Sequence, residues 1–560
     1  MSLFSLLQEN FIKSRKKYFG ISLFVICNLY FTICNSQDFL GYTNSPFSGV
    51  NGIDLNPACI VNNPRKWDVS VIGLNVGVAN NFIGFQKKAL NHTGGLTSGN
   101  YPAFNDNNFA NDYLTQRMKI KAASVFVAAN ISLPSFMFTR EKHKDAFAFT
   151  CRTRAYVNVD GIDPSLAHMM VAGATDSTMF GNQLSSPKLS TQTMVWTEYG
   201  VTYGKTIMES SNGRLNVAGR LKLLQGLYAA YIYIDNVDYK FNTSDSLLII
   251  SPHVNYGHSK NLEFSKNALK FGFGGKPSVG LDIGATYEFH PIENTHSKKV
   301  SQSTETMLSH EYRYKVGFSV QDLGWITYLK PSNGHDFTAE FNNTINLSSL
   351  STPGSTPLAS ADDTLKKKFS MLAVDKKFRM NLPTMVSVQG DYYVGKNISV
   401  NSTMNYAFQF KNNEDKIHEV TAFSITPRWD WKWLGTYFPV SYNKYSHVRA
   451  GFSLRLGPLI VGTSNVLPLI TKKDVYGLDF HFLLKVPHIA FNKKNKNSKS
   501  KSRFNKNKEG KRRKHPKSDM PAKDSEHKVR KHIFPKIHFF KKKKRNANPE
   551  DEDHTIYFKI

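Results

Sequence analysis

Apolar and polar residues alternate along most of the chain with a period of two. In the segment 474 to 486, DVYGLDFHFLLKV, one side of the pattern is apolar: Tyr476, Leu478, Phe480, Phe482 and Leu484. The other side is polar or small: Gly477, Asp479, His481 and Lys485, with Leu483 as the exception. Successive side chains of a β-strand point to opposite faces, so this pattern predicts a strand with one apolar face and one ionisable face.

Similar runs predict strands throughout the central part of the chain. They lie at 67 to 85, 120 to 138, 145 to 159, 194 to 207, 214 to 224, 228 to 241, 246 to 257, 277 to 289, 311 to 328, 335 to 347, 380 to 395, 397 to 410, 418 to 433, 436 to 443 and 447 to 456. Four long polar insertions interrupt them, at 88 to 118, 160 to 193, 291 to 309 and 348 to 377. Asp163 as N-cap and Pro164 at the first helical position predict one short helix within the second insertion.

Three tryptophans occupy every second position of RWDWKWLG, residues 428 to 435. As a strand, this segment would place Trp429, Trp431 and Trp433 on one face, with Asp430 and Lys432 on the other. A soluble sandwich would need a large facing sheet to cover three neighbouring indoles. In a transmembrane strand the indoles would meet lipid headgroups while the charges face a wet lumen. We favour this second interpretation and predict that the three tryptophans belong to a lipid-interface girdle.

The first 36 residues have the features of an export signal. Cations at 13 to 17 precede an apolar run from 18 to 33, and Cys34 and Ser36 supply small residues for cleavage after Ser36. A retained membrane anchor is the less favoured alternative, because the run is shorter than the roughly 20 residues that a spanning helix needs. Cleavage leaves Cys59 and Cys151, which show no metal-ligand spacing and could form at most one disulfide.

The formal net charge of +29 would ordinarily suggest a nucleic-acid partner. More than half of it lies in residues 488 to 560, where 24 Lys and Arg face 8 Asp and Glu, a net of +16. Runs such as KEGKRRKHPK cannot bury enough apolar surface to fold alone, so we predict a disordered basic tail. Because an exported chain is separated from nucleic acid, we expect no such partner.

Composition bears on the choice between a soluble sandwich and a membrane barrel. Aromatic residues make up 13% of the chain although hydrophobic residues reach only 40%. Both architectures would show a period of two. The excess of aromatic residues, the export signal and the number of strands together favour a β-barrel whose apolar face meets lipid.

Five segments resemble a family of outer-membrane barrels of unassigned function found in Bacteroidota. They are GVNGIDLNPA near the mature N-terminus and the segments 277 to 289, 314 to 328, 380 to 401 and 448 to 470. That family looks like a relative of the long-chain fatty-acid transporter barrels and, more distantly, of the type IX secretion barrels. The resemblance covers residues 37 to 486 and implies about fourteen strands, with the N-terminal segment folded into the lumen as a hatch. The tail departs from the pattern, since such barrels usually end on an aromatic-ended strand.

No enzyme motif stands out, and the sequence lacks HExxH, GxSxG and Walker signatures. We therefore expect a non-enzymatic protein without a cofactor or a metal. Asp479, His481 and Lys485 are candidates for a polar permeation path or for a network that holds the plug, and plain packing of the lumen is the favoured alternative. Asp54 and Asn56 are gating candidates in the N-terminal segment, with an ordinary turn as the alternative.

The sequence thus predicts an all-β protein, a transmembrane antiparallel β-barrel, in four regions. These are a signal peptide (1 to 36), a plug or hatch (37 to 66), an outer-membrane barrel (67 to 487) and a disordered basic periplasmic tail (488 to 560). We favour a scaffold or assembly component of an envelope complex, because a long tail suits a partner. The alternative is a transporter of hydrophobic or amphipathic small molecules.

Outer-membrane lipid is the first expected partner. Peptidoglycan or an acidic periplasmic or envelope protein is the partner that the basic tail suggests. A secreted soluble β-protein or a cytosolic nucleic-acid binder would require the membrane or the signal interpretation to fail.

Overall fold

The structure is a computed structural model, and its described residues exclude both termini and several connections. They are 39 to 61, 63 to 86, 113 to 171, 176 to 244, 246 to 250, 253 to 261, 274 to 289, 312 to 330, 342 to 346, 377 to 408, 417 to 467, 471 and 474 to 487. The predicted signal peptide and basic tail therefore lie outside the described residues, and both stay predictions.

Strands make up most of the described structure. They are β1 (Trp67–Asn80), β2 (Ile83–Phe85), β3 (Leu114–Gln116), β4 (Ala123–Arg140), β5 (Asp145–Ile162), β6 (Gln183–Ser210), β7 (Gly213–Thr243), β8 (Ser246–Ile250), β9 (His253–His258), β10 (Gly275–Lys276), β11 (Ser278–Phe289), β12 (Tyr314–Leu329), β13 (Asn342–Asn346), β14 (Lys377–Asn381), β15 (Met385–Gly395), β16 (Ile398–Ala407), β17 (Ala422–Asp430), β18 (Leu434–Tyr437), β19 (Val440–Asn443), β20 (His447–Ala450), β21 (Phe452–Leu456), β22 (Leu459–Thr463) and β23 (Gly477–Lys485). The helix predicted after Ile162 is confirmed as α1 (Pro164–Val171), and Asp163 caps it by accepting hydrogen bonds from the backbone of Ser165 and Leu166.

The large sheet closes on itself as an antiparallel barrel of 14 strands. The first and last strands seal it, because β1 pairs with β4 on one side and with β23 on the other. Five barrel strands are interrupted or short: β10 continues into β11, β14 into β15, β18 into β19 and β20 into β21, while β22 has five residues. The predicted fold class and strand number are confirmed.

The barrel has two ends that differ in their connections. Tight connections at 141 to 144, 211 to 212, 396 to 397, 431 to 433 and 457 to 458 share one end, which we call the turn end. Longer connections, including 163 to 182, 408 to 421 and 464 to 476, share the other, which we call the loop end. The insertion at 291 to 309 was expected with the long loops, but it joins β11 to β12 at the turn end, since Phe289 pairs with Tyr314 there beside Gly213.

Side chains alternate between a buried inner face and an exposed outer face. Apolar residues dominate the outer face, and Val201, Leu221 and Val279 are each more than half exposed in the protein alone. Charged and small residues at the intervening positions are buried, as in β23, where Asp479, His481 and Lys485 point inwards. A wall that presents apolar side chains outward over antiparallel strands is the architecture of an outer-membrane β-barrel.

Two neighbouring strands are much longer than the rest. β6 has 28 residues and β7 has 31, and they pair from Gln183 and Lys240 at the loop end to Ser210 and Gly213 at the turn end. The sequence predicted β7 as two strands, at 214 to 224 and 228 to 241. The strand itself is continuous across the junction, where Gly226 lies close to Tyr328. A β-bulge at Leu227 shifts the pairing with β6, so the inward positions change from even-numbered residues such as Leu224 to odd-numbered residues such as Tyr231.

The strand predicted at 418 to 433 ends earlier than expected. β17 stops at Asp430, and the residues from Trp431 to Trp433 form a tight connection closed by a hydrogen bond from the Trp431 nitrogen to the Leu434 oxygen. Lys432 is therefore exposed in a turn rather than directed into the lumen. Among the described residues, no helix is long and apolar enough to cross a membrane.

Candidate functional site

Residues 39 to 61, here the N-terminal segment, lie inside the barrel at the turn-end half. The segment folds into two short 3-10 helices, Gly49–Asp54 and Pro57–Ile60. Its apolar residues pack on two patches of the inner wall. Phe39 and Tyr42 contact Tyr437, Ile460 and Leu483, and a second group joins Val50, Ile53, Ile60 and Val61 to Met137, Ala146 and Ala148. Leu483, the exception to the alternation of β23, is thus an inward apolar contact for Phe39.

Asn56 anchors the segment by hydrogen bonds to three strands. Its side-chain amide donates to the Ala285 oxygen at 3.1 Å, the Phe318 oxygen at 3.2 Å and the Gln389 side chain at 3.0 Å. Its own oxygen accepts a hydrogen bond from the Ala58 nitrogen and caps the second 3-10 helix. Asn56, a gating candidate with an ordinary turn as the alternative, is a fully buried attachment point, and its role in gating stays a prediction.

The wall is shaped to admit Asn56. A Cβ atom at Gly284 would lie 2.2 Å from the Asn56 oxygen and 2.9 Å from Pro57. Neither distance is compatible with a side chain, so glycine is required for the close approach of the segment. Gly284 stands on β11, within the resembling segment PSVGLDIGATYEF.

Asp54 places a carboxylate among buried cations at mid-height in the lumen. It forms ion pairs with Arg152 at 2.9 Å and with Arg220 at 3.1 Å. Glu198 pairs with both arginines from the far side. The N-terminal segment therefore contributes one of the charges of a network that otherwise belongs to the barrel wall.

This network, the ion-pair layer, crosses the lumen. Its members are four cations and five carboxylates: Arg152, Arg154, Arg220, Lys222, Asp54, Glu198, Asp282, Asp322 and Glu419. All are buried, so their charges are stabilised by each other rather than by bulk water. Removing a charged side chain from water costs several kcal/mol unless an ion pair compensates for it. The positions of the charged groups in the layer must therefore be well matched.

Asp322 sits at a kink in β12 within this layer. Its φ angle of +58° lies in the left-handed region, which a non-glycine residue adopts at a cost. Its backbone nitrogen donates to Asp282 at 2.7 Å, and its carboxylate accepts a hydrogen bond from Arg154 at 2.7 Å. The kink separates the part of β12 that pairs with β15 from the part that pairs with β14.

Lys485 ties the last strand to the N-terminal segment and to the first strand. Its ammonium group contacts Asp68 at 2.6 Å, donates to the Ser48 oxygen at 2.7 Å and donates to the Tyr42 hydroxyl at 3.2 Å. Burial and the neighbouring Asp68 carboxylate hold the pKa of the Tyr42 phenol well above its usual range. The phenol therefore remains a neutral partner of Lys485.

The structure does not bring Asp479 and His481 into the same site as Asp54 and Asn56. Asp479 accepts hydrogen bonds from Ser464 at 2.8 Å and from Thr463 at 3.1 Å, and so caps the end of β22. His481 contacts Ser453 at 2.9 Å and lies edge-on to Phe39, with ring centroids 5.7 Å apart. His481 thus touches the N-terminal segment, whereas Asp479 organises the wall nearer the loop end.

A second polar cluster holds the segment near the turn end. Arg428 forms a two-pronged pair with Asp391 at 2.6 and 2.7 Å and reaches Asp430 at 3.0 Å. Asp430 also accepts hydrogen bonds from Ser45 at 3.0 Å and from Tyr437 at 2.7 Å. The predicted inward direction of Asp430 is confirmed.

Apolar and aromatic side chains fill the lumen on the loop-end side of the ion-pair layer. We call this group the aromatic chamber; its members are Ala79, Phe126, Ala128, Tyr156, Met194, Trp196, Leu224, Ala229, Tyr231, Tyr233, Ile326, Tyr328, Phe378, Met380, Leu382, Ile417, Val420 and Tyr445. Tyr156 stacks on Trp196 with ring centroids 5.4 Å apart, and Arg154 lies 4.9 Å from the Trp196 ring. Arg154 therefore marks the boundary between the layer and the chamber.

A cavity of about 280 Å³ lies at the turn end between the N-terminal segment and the wall. Cys59 lines it together with Lys315 and the Arg214–Glu288 ion pair. Burial raises the pKa of the Cys59 thiol, so the thiol stays protonated at neutral pH. Cys151 is also a free thiol, and the structure contains no disulfide between the two.

The tryptophans occupy two environments. Trp196 is fully buried in the aromatic chamber, while Trp67, Trp325, Trp431 and Trp433 are each at least 40% exposed. Trp429 falls on the outward face of β17, in step with Phe423 and Ile425. The girdle stays a prediction, now with two of its three indoles in a turn.

The sequence analysis missed the barrel side of the ion-pair layer. A usable signal was present, because CRTRAYV and GRLKLL each carry two cations two residues apart within otherwise apolar strands: Arg152 and Arg154, then Arg220 and Lys222. Such spacing puts both cations on the inner face of one strand. Their carboxylate partners are distant in sequence and carry no local signal, although Glu198 and Asp282 lie directly opposite Arg152 and Arg220 on the neighbouring strands. Among the described residues, no group of acidic, histidine or cysteine side chains could hold a metal ion.

A model of one protein family matches residues 57 to 464, and its description is "Family of unknown function (DUF5723)". The chain belongs to this family. The description assigns no activity, and no curated protein matches the chain. The attribution to Bacteroidota is not tested by these comparisons and stays an expectation.

Several solved structures are similar to this DUF5723 protein. A "TodX deltaS2S3 mutant monoaromatic hydrocarbon channel" has 9% identity and a TM-score of 0.37, covering 78% of this chain and 94% of that chain. A Pseudomonas aeruginosa FadL homologue has 10% identity and a TM-score of 0.36, covering 81% and 98%. The Ralstonia pickettii toluene transporter TbuX has 10% identity and a TM-score of 0.30, covering 80% and 100%. With TM-scores below 0.5, these similarities carry no argument about function.

Proposed function

We propose that the protein is a non-enzymatic outer-membrane barrel that passes small hydrophobic or amphipathic molecules, with the N-terminal segment as its hatch. The aromatic chamber is the observation that carries this proposal. Lumens of outer-membrane barrels are ordinarily polar, whereas here rings and aliphatic side chains fill the loop-end half of the lumen. This order differs from the one that the sequence favoured, in which the scaffold came first.

The chamber chemistry fits a hydrophobic solute. Apolar surface gains roughly 25 cal/mol for each Å² removed from water, so an apolar molecule is drawn from water into such a lining. Rings such as Tyr231, Phe378 and Tyr328, which already contact each other at centroid distances of 5.2 and 5.6 Å, can stack on an aromatic guest after small rearrangements. The ion-pair layer beneath would reject a neutral apolar molecule, because separating its paired charges is costly.

Passage then requires the N-terminal segment to move. Asp54 is the only carboxylate that the segment contributes to the ion-pair layer, and Asn56 is its hydrogen-bonded anchor. Displacement of these two side chains would open a path from the chamber towards the cavity at the turn end. The turn end is assigned to the periplasm, because outer-membrane barrels carry their short turns there.

Trp196 offers a direct test, since it is the tryptophan inside the chamber. The purified full chain in detergent is titrated with a small fluorescence-quenching aromatic such as nitrobenzene. We expect saturable quenching that Trp196→Phe removes and that Trp325→Phe, a change on the outer wall, leaves in place. Quenching that rises linearly in all three proteins would reflect partitioning into the micelle and would refute a chamber that binds solute.

A scaffold role is the second candidate, and the closed lumen favours it. The N-terminal segment and the ion-pair layer fill the middle of the barrel, as expected of a sealed cylinder. In that role residues 488 to 560 would hang in the periplasm from the turn end and bind peptidoglycan carboxylates or an acidic protein, each Lys or Arg contributing about 1 kcal/mol near an anionic surface.

Deleting residues 488 to 560 separates the two candidates. A transporter should keep solute uptake in cells that carry the truncated barrel, with heat-modifiable migration as the control for folding. A scaffold should lose a co-purifying envelope partner while uptake, absent in the intact protein, stays absent.

A further inference from the structure

Arg449 on β20 differs from the other buried arginines of the described residues. Five of the six form an ion pair with a carboxylate: Arg152, Arg154, Arg220, Arg428 and Arg455. Arg449 is only 2% exposed, yet it forms no ion pair with any residue that the structure describes, and its Nε and Nη1 atoms have no hydrogen-bond partner there.

Three hydroxyl groups lie on the same wall as this guanidinium. Ser441 pairs directly with Arg449 across β19 and β20, and Ser424 pairs with Ser441 across β17 and β19. Paired residues on one face have Cβ atoms about 4.5–5.5 Å apart, so Ser424, Ser441 and Arg449 form a continuous row. Thr426 follows Ser424 on the inner face of β17. All three hydroxyls are buried and have no hydrogen-bond partner among the described residues.

Asp479, the acid with which Arg449 interacts electrostatically, does not form an ion pair with the guanidinium. Its carboxylate already accepts hydrogen bonds from Ser464 and Thr463, and it stands beyond ion-pair distance of the guanidinium. A buried cation without a counter-charge is among the most costly arrangements in a protein interior. Guanidinium and hydroxyl hydrogens that lie along one stretch of the inner wall are the donors that an anion requires.

We propose that Arg449, with Ser424, Thr426 and Ser441, forms a binding site for a small monovalent anion. The site lies between the aromatic chamber and the N-terminal segment. Tyr445 of the chamber stands in the connection that leads into β20, and the Thr426 methyl group lies next to Gly41 of the segment. Two sources share this chemistry: a free anion, or the carboxylate of an amphipathic molecule whose apolar part occupies the chamber. The site does not depend on transport, since a free anion would stabilise a sealed lumen equally well.

Calorimetric titration of the full chain in detergent tests the site with three probes: sodium formate, sodium octanoate and octanol. We expect saturable binding of the carboxylates, loss of that binding in Arg449→Met, and retention in Arg379→Met, which removes an exposed cation of β14. If Arg449→Met fails to show heat-modifiable migration, the double change Ser424→Ala with Ser441→Ala replaces it and should weaken binding about tenfold.

The outcomes distinguish the sources and can overturn the proposal. Equal affinities for formate and octanoate would identify a free anion, and a clear preference for octanoate would identify an amphipathic acid. Octanol that binds as well as octanoate would overturn the site, because the charge would then contribute nothing. Absence of saturable binding by either carboxylate would overturn it as well. Neither result would change the Trp196 quenching test, so failure of the anion site and failure of the proposed passage remain separate.

Discussion

Replacing Asp54 with Asn should release the N-terminal segment from the lumen. The substitution keeps the size of the side chain and removes the negative charge that faces Arg152 and Arg220 at 2.9 and 3.1 Å. Breaking a buried ion pair by removing one partner costs about 3–5 kcal/mol, because the remaining charge stays buried. Both arginines retain Glu198, so the lower end, about 3 kcal/mol, is the appropriate value here.

The lost ion-pair energy increases the fraction of molecules in which the N-terminal segment is displaced. Since about 1.4 kcal/mol corresponds to a factor of ten, a loss of about 3 kcal/mol raises the displaced fraction of the segment roughly a hundredfold. Cys59 reports on this displacement, because it belongs to the segment and is a free thiol. In a Cys151→Ser background it is the remaining thiol of the signal-free chain.

The assay is the rate at which a bulky, membrane-impermeant maleimide labels Cys59 in the folded barrel. We expect labelling to accelerate by about two orders of magnitude in Asp54→Asn. Glu141→Gln is the matched control, because Glu141 forms an exposed pair with Lys66 at the same end, and exposed pairs contribute little. A rate for Asp54→Asn within twofold of the control would refute the reasoning that this carboxylate holds the segment.

Three further changes test other contacts. Gly284→Leu should also accelerate Cys59 labelling, because even its Cβ atom would lie 2.2 Å from the Asn56 oxygen; unchanged labelling would contradict the required close approach. Lys485→Met should lower the free energy of unfolding by about 3 kcal/mol, measured by urea denaturation in lipid vesicles, since it leaves Asp68 buried without its nearest cation. Hydrogen bonds from a neighbouring threonine and histidine lower the pKa of Asp176, outside the membrane-spanning strands, to about 2. Their stabilisation is therefore present above an unfolded value of about 3.9 and lost as pH falls towards 2, and a carboxyl carbon resonance that titrates at or above 3.9 would contradict it.

The alternation of apolar and polar residues predicted the strands of the barrel wall well. One face of each strand is buried in the lumen and the other meets lipid, so the sequence must alternate with a period of two. It also identified Lys485 and Asp479 as inward residues. It could not say which face of a strand meets lipid when both are apolar. In YAAYIYI the tyrosines Tyr231 and Tyr233 line the chamber, whereas Ile232 faces outwards. The excess of rings was attributed to lipid, but part of it fills the lumen.

The functional contacts were harder to predict because they join residues far apart in sequence. Asp54 meets Arg152 and Arg220 only after the sheet has closed, so no spacing along the chain foretells the pairs. A period of two also fails to mark where a strand ends. Trp431 and Trp433 continue the sequence period of Trp429, although β17 ends at Asp430 and both residues lie in the tight connection that follows.

The length of β6 and β7 has a consequence for what the cell surface presents. At about 3.3 Å per residue the 31 residues of β7 extend roughly 100 Å, whereas about 10 residues suffice to cross the bilayer. Much of this hairpin must therefore stand clear of the membrane as a stiff ribbon beyond the loop end. With the turn end in the periplasm, as proposed, antibodies, phages or neighbouring cells approaching from the medium would touch that ribbon before they touched the mouth of the barrel.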